Sequence, residues 1–551
     1  MTAASTIKKL AVVGLSIVLL SLAGPSGSAW AATYALIQGS GSSWAGNALN
    51  QWVADVSAQD LKVVYTANGA AQGRKDYANV RTEFGVTDSP YRGQDPSTGA
   101  TDSPLGRSFA YLPIVAGGTS FPYNLTVGGK RVTTLRLSGV TVAKIFTNQI
   151  TNWNDPAITA DNNGQALPSI PIIPVIRADG AGVTNQFTTW LVSQYPDQWK
   201  ACNGGKNAPT DYYPLNCGAS SGPQKAQTGS DGVMNYIKSN GANGSIAMEE
   251  YSYPLLSKYP VARLLNKAGY FALPTQYNVA VALTQATINN DKSSPNYLTQ
   301  SLDNVYVNSD PRTYPLSSYV YAIIPTDASD RRMTTAKAQS VTDFLYHSIC
   351  QGQRGIGPIG YSPLPINLVQ GGFEQIAKLG VFGATMKDRN VSTCDNPTFI
   401  KDNPGKNYLA QIAPNPPACA KVGADPCANN EDAIIANPTA DGKAPTAKKT
   451  KGAPKSSTPA AAGGAPAGGA APGDASAPAA AGSDVLGVGG GDAATAAADG
   501  TTTVVPTTLA AGESSGPTPV LTALVIGTLL AVLAAPAVVS AALGRSRRGR
   551  P

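Results

Sequence analysis

From about residue 33 to 370 the chain switches repeatedly between two hydrophobic rhythms. Short apolar runs bounded by Gly, Asn and Pro read as strands, and stretches with apolar residues three and four apart read as helices. "TYALIQGSG" predicts a strand ending in a Gly-Ser loop. In "SSWAGNALNQWVADV" the residues Ala45, Leu49, Trp52, Val53 and Val56 share a helical face, with Ser42 or Ser43 as the cap. "LKVVYTA" is a β-branched strand leading to Asn68-Gly69, and "TEFGVTDSPYR" is another short strand and turn. "SIPIIPVIRADG" predicts a further strand, and the helix after it places Val183, Phe187, Trp190 and Leu191 on one face. Strands alternating with helices predict an α/β sheet with substantial parallel content.

Two of these strands feed loops that open helices, Gly39–Trp44 and Arg177–Thr184. In open α/β sheets, ligands sit at the carboxyl ends of the strands. A helix N-terminus there offers unpaired N–H groups and a partial positive charge. Two such termini facing each other across a cleft would trap an anion, whereas a lone Gly-Ser loop does no more than cap a helix.

Outside this region the pattern changes. Residues 1–31 read as a secretory signal, with Lys8 and Lys9 ahead of an apolar stretch and Ala29-Trp30-Ala31 as the cleavage site; an uncleaved signal anchor is the alternative. Apolar periodicity fades over 371–430, which reads as a loop-rich appendage containing cysteines. Residues 431–519 are rich in Ala, Pro and Gly and predict a disordered linker. Residues 520–543 carry no charge and are long enough for one transmembrane helix. Arg545, Arg547, Arg548 and Arg550 follow, which puts the 544–551 tail in the cytoplasm. The expectation is a single-pass cell-membrane protein with its bulk outside.

That topology changes the meaning of the charge. The formal net charge is +7, but without the two leader lysines and the four tail arginines 35 basic residues face 34 acidic ones. The basic balance therefore gives no support to nucleic-acid binding. The six cysteines, Cys202, Cys217, Cys350, Cys394, Cys419 and Cys427, form no C-x-x-C pair and suit an oxidising compartment. Local pairing gives Cys202–Cys217 and Cys419–Cys427, with Cys350–Cys394 remaining, among fifteen possible connectivities.

The order of several stretches resembles the substrate-binding protein of phosphate ABC transporters. "GSGSSWAGNALNQW", "VVYTANGAAQG", "TEFGVTDSPY", "LSGVTVAKIFTNQITNWNDPAI", "RADGAGVTNQF", "GSIAMEEYSY", "YPLSSYVYAII" and "GYSPLP" are similar to that family's landmarks, from about Tyr34 to Pro365. The resemblance implies a two-lobed, hinged, periplasmic-binding-protein-like fold over 32–370. Lobe 1 would take about 33–115 and 315–370, and lobe 2 about 116–314. It also implies extracellular phosphate binding between the lobes and delivery to an ABC permease.

Carried over position by position, Ser43, Trp44, Asp88, Arg177 and Gly182 fall on the family's ligand contacts. Ala70, Ala181 and Val183 fall where the family has hydroxyl side chains, so only their backbone N–H groups are left to contribute. The competing expectation is a surface protein that keeps the fold for a structural or interaction role, or binds another anion. No enzyme is expected: the one histidine, His347, sits in "TDFLYHSICQGQ", and no G-x-S-x-G elbow, metal-ligand cluster or cofactor motif is present.

Overall fold

The computed structural model describes residues 34–95, 98–215, 217, 224–400, 403 and 406–427. The expected signal at 1–31, linker at 431–519, membrane helix at 520–543 and tail at 544–551 all lie outside them. Among the described residues no helix is long and apolar enough to cross a membrane.

Alternating apolar runs at the start of the chain build β1 (Ile37–Gly41), α1 (Gly46–Ser57), β2 (Val63–Thr66), α2 (Ala70–Ala78) and β3 (Phe84–Thr87). β1 lies between β2 and β3 and is parallel to both. The α1 face expected from the pattern is the packed one, with Ala45, Leu49, Trp52 and Val56 buried and Val53 half-buried against the same core. Its start differs: Ala45 occupies the cap position and no side chain caps the helix. Ser42 Oγ instead accepts from Ala45 N at 3.4 Å, within the loop ahead of the helix.

The first sheet continues through a long strand, β4 (Phe109–Ser120), whose neighbour is a strand from much later in the chain, Ser317–Pro325. A second sheet has β5 (Tyr123–Asn124), β6 (Ile173–Arg177), β7 (Lys225–Gln227) and β8 (Ser245–Ala247) in the order β7-β6-β8-β5. Here β6 is parallel to β7 and β8. Helix α3 (Gly182–Gln194) follows β6, and α4 (Gly229–Lys238) follows β7. The chain passes between the sheets at 121–122, and again at Met248, where β8 gives way to β9 (Glu249–Glu250) on the edge of β4. Two mixed α/β layers joined by a few extended crossings form a hinged two-lobed architecture. The lobes do not divide at the expected points. Pairing with 317–325 carries β4 past 115 to Ser120, and helix Gln276–Leu283, inside the range expected for lobe 2, packs on the first sheet.

The segment expected as a loop-rich appendage, described to residue 427, packs on the rest of the domain. Helix Ile366–Ile376 buries Leu368, Val369, Phe373 and Ile376 against β4. The stretch after it is loop-rich but anchored, since Thr398 is buried and donates to Leu364 O, and Leu409 is buried beside Tyr277. Further on, Arg136 donates to the carbonyls of Cys419 and Ala424. The apolar rhythm fades here because these contacts are isolated anchors on an existing surface, not the periodic face of a helix.

The three disulfides are the expected ones: Cys202–Cys217 and Cys419–Cys427 by local pairing, and Cys350–Cys394 as the remaining pair. Cys350–Cys394 closes a loop across a separation of 44 residues. Replacing both cysteines with Ser should lower stability by about 4 kcal/mol, read as an earlier midpoint in guanidinium unfolding.

Candidate functional site

Five strand ends converge on one cleft. From the first lobe come Ser43 after β1, Gly69 and Ala70 after β2, and Asp88 after β3. From the second come Arg177 at the end of β6, Gly182 at the start of α3, and Ser230 at the start of α4. Because β1, β2 and β3 run parallel, as do β6 and β7, each lobe points its strand carboxyl ends and helix N-termini the same way.

The two lobes meet at these residues. Ala71 N donates to Gly180 O at 3.1 Å, Gln186 Nε2 to Asp88 O at 2.7 Å, and Tyr253 OH to Ser43 O at 2.5 Å. Ser230 Oγ lies 2.9 Å from Ser43 Oγ. Two glycines make the approach possible. Gly69 has φ 96°, and a Cβ there would lie 2.7 Å from Gly180 O. A Cβ on Gly182 would fall on the Asp88 carboxylate.

Arg177 and Asp88 are buried in this junction at 2% and 1% exposure, so each charge must be met locally. Arg177 is met: its fork grips Asp179 (Nε to Oδ1 2.8 Å, Nη2 to Oδ2 2.5 Å), and Nη1 donates to Ser230 Oγ at 3.3 Å. Gly229 N also donates to Asp179 Oδ1, so the carboxylate fixing the guanidinium is itself fixed. Asp88 is met poorly: neither carboxylate oxygen makes a well-formed hydrogen bond, and the Ser42 hydroxyl is the side-chain donor that bears on it. Burial pushes its carboxyl up to about 7, against the opposing pull of the Ser42 hydroxyl and the Arg74 and Arg177 charges. A buried acid beside a helix N-terminus and a fixed guanidinium is arranged to meet an oxyanion that carries a proton.

The predicted residues divide as follows. Ser43, Ala70, Asp88, Arg177 and Gly182 come together. Ala70 and Gly182 are the first residues of α2 and α3, and Val183 is the second of α3, so their N–H groups have no acceptor within their helices. Val183 turns its side chain into the hydrophobic core and has only its backbone to offer. Ala181 does not fit its expected role, because its N–H already donates to Asp211 O at 2.9 Å. Trp44 accepts from Tyr361 OH through its carbonyl and packs edge-on to that ring, while its buried indole Nε1 has no partner. His347 lies elsewhere, 3.3 Å from Asp55 Oδ2 on the far helix layer.

The comparisons agree with this architecture. Residues 26–350 match the model of the PBP superfamily domain. The phosphate-binding protein PstS 3 of Mycobacterium leprae is 30% identical over 332 residues, covering 60% of this chain and 83% of that one. The chain belongs to this family. PstS 2 of Mycobacterium tuberculosis is 31% identical, covering 62% of this chain and 86% of its own. The PstS of Methanocaldococcus jannaschii is 29% identical, covering 64% and 86%.

Sequence reasoning missed several of the family member's cleft residues. Asp179 stands two positions after Arg177, and a bidentate partner for a buried arginine was the available signal. Ser230, Glu249 and Tyr253 come from distant segments that only folding brings in. So does an ion-pair cluster between the lobes. Arg74 holds Asp102 (Nε to Oδ1 2.7 Å) and also Asp211 (2.5 Å), and Arg92 reaches Asp211 at 2.9 Å. Asp211 lies in the loop stapled by Cys202–Cys217 and anchored to α3 through Thr188 and Thr210.

Proposed function

We propose that this chain binds inorganic phosphate in the interlobe cleft and delivers it to an ABC permease, acting by lobe closure and not by catalysis. The observation that carries the reading is Asp88, a buried carboxyl without a well-formed hydrogen bond, facing the start of α3 from the other lobe. Arg177 supplies the positive charge. The first-turn N–H groups of Ala70, Gly182 and Val183, the N–H of Trp44 and the Ser43 hydroxyl supply donors. Asp88 accepts from a protonated phosphate oxygen, whereas fully ionised sulfate has no proton to offer and meets a carboxylate lone pair.

The three missing hydroxyls set the affinity. Each hydrogen bond to a charged group contributes about 1.5–3 kcal/mol, so Ala70, Ala181 and Val183 make this a weaker site than one with hydroxyls at those positions. In the same reading the protein is exported by the 1–31 signal and held at the membrane by 520–543.

Calorimetric titration of the full-length chain in detergent with phosphate and, separately, sulfate tests the binding. One equivalent of phosphate should bind with measurable heat, and sulfate should give none. Equal heats from both anions, or none from either, would overturn the reading.

A further inference from the structure

Ser230 Oγ sits at a branch point with three neighbours: Arg177 Nη1 at 3.3 Å, Ser43 Oγ at 2.9 Å and Glu249 Oε1 at 2.9 Å. A hydroxyl has one hydrogen and two lone pairs, and a guanidinium can only donate. Whether Glu249 Oε1 carries a proton therefore fixes the direction of the remaining two bonds. If Glu249 is ionised it must accept, and Ser230 spends its hydrogen there. The Ser43–Ser230 contact then uses the Ser43 hydrogen, and Ser43 turns only lone pairs toward an anion. If Glu249 is protonated on Oε1, which still accepts from Glu250 N through a lone pair, it donates to Ser230, Ser230 donates to Ser43, and the Ser43 hydrogen is released for the anion.

We propose, resting on the phosphate reading above, that Glu249 is a positioning residue whose protonation switches Ser43 between acceptor and donor toward the bound anion. The switch is confined to the cleft: Glu249 and Ser230 are both buried, and Glu249 Oε2 has no partner. Glu249 is held in place by β9, where Ser120 Oγ donates to its carbonyl and Glu250 N donates to its Oε1.

The groups facing it favour the proton. Arg177 is the cation nearest to hand, and its fork is committed to Asp179. Asp179 from the β6 loop adds negative charge, whereas the Glu250 N–H opposes it by donating to Oε1, and burial pushes the Glu250 carboxyl itself well above its ordinary value. Tyr253 from the next helix is neutral, with Asp231 of α4 bearing on it, and Tyr361 faces Glu250. Burial, opposed by Arg177, pushes the Glu249 carboxyl up to about 7. Above that pH the site loses a donor and gains a negative charge, so anion binding weakens.

Phosphate affinity of the full-length protein and of Glu249→Gln, measured from pH 6 to 8.5, tests this. Ionisation of phosphate itself affects both proteins equally, so the ratio of their affinities isolates Glu249. That ratio should move by roughly tenfold in favour of Glu249→Gln as pH rises, the worth of one hydrogen bond to an anion. In a Ser43→Ala background the pH dependence of the ratio should shrink. A ratio that stays constant with pH, or a pH dependence undiminished by Ser43→Ala, overturns the switch. Should Glu249→Gln not fold, the advantage of wild type over Ser43→Ala must itself fade from pH 6 to 8.5, and a constant advantage overturns the switch equally. Absence of phosphate binding by wild type at every pH sinks the phosphate reading and this proposal together, whereas binding without the pH-dependent ratio sinks only this one.

Discussion

Arg177→Met should lower phosphate affinity by about three powers of ten, because truncating one member of a buried, hydrogen-bonded charge pair costs about 2–5 kcal/mol. Two losses combine. The anion loses the one guanidinium placed at the end of β6, and Asp179 keeps only Gly229 N of its principal donors. Stability should fall as well. Against the effect of burial, the bonds and charge of Arg177 hold the Asp179 carboxyl below its ordinary value. A depressed folded-state value means that this contribution is present above the unfolded value near 4 and is lost as pH falls through the lower folded value. The Arg177→Met variant should therefore lack that acid-side decline. Adding Asp179→Asn removes the orphaned charge, so the double variant should recover melting temperature without recovering affinity. Recovery of both would place Arg177 outside the binding site.

The parts of this site that were legible in the sequence are those set by local chain geometry. A strand ending in Gly-Ser, and another ending in Arg-Ala-Asp-Gly before a helical apolar face, carry their own boundaries, and both helices run with the predicted faces buried. Asp88 came from the family resemblance, and the short strand before it fixes only that it stands at a strand end. The Ala181 N–H was misjudged because its acceptor, Asp211 O, arrives from 30 residues downstream on a disulfide-stapled loop. No periodicity encodes that encounter. Ser230 and Glu249 were missed likewise, since a serine at a helix start and an acid in a short strand are common and acquire their meaning only when Arg177 and Ser43 stand within hydrogen-bond reach.

The lobe boundaries were misplaced for a related reason. Hydrophobic pattern marks where strands are, not which sheet they join, and β4 continues past 115 only because the 317–325 strand pairs along its length. The 371–427 region shows the converse. Its weak periodicity reads only as a loop-rich appendage, and Cys394, Thr398 and Leu409 are buried one by one against surfaces that other segments built.

Gly182→Ala should separate folding from function more cleanly than any change of charge. Gly182 is the first residue of α3, where alanine suits the backbone and is the better helix former by up to about 1 kcal/mol. The open protein should therefore melt at the same temperature or slightly higher. Closure is another matter, because the new methyl would occupy the position of the Asp88 carboxylate from the opposite lobe. The lobes must stop short or Asp88 must swing away. Either outcome breaks the arrangement of a fixed guanidinium, helix N–H groups and carboxyl that closure brings together, and phosphate affinity should fall by at least a hundredfold, equivalent to about 2.7 kcal/mol. Small-angle scattering should show no compaction on adding phosphate, where wild type contracts. Asp88→Gly in the same chain removes both the obstructing carboxylate and the Asp88 Cβ, which would lie 2.5 Å from the new methyl, so the double variant should close again around an anion but no longer separate phosphate from sulfate. If Gly182→Ala binds phosphate as wild type does, the closed contact between Gly182 and Asp88 is not the binding conformation, and the anion must be held with the lobes further apart.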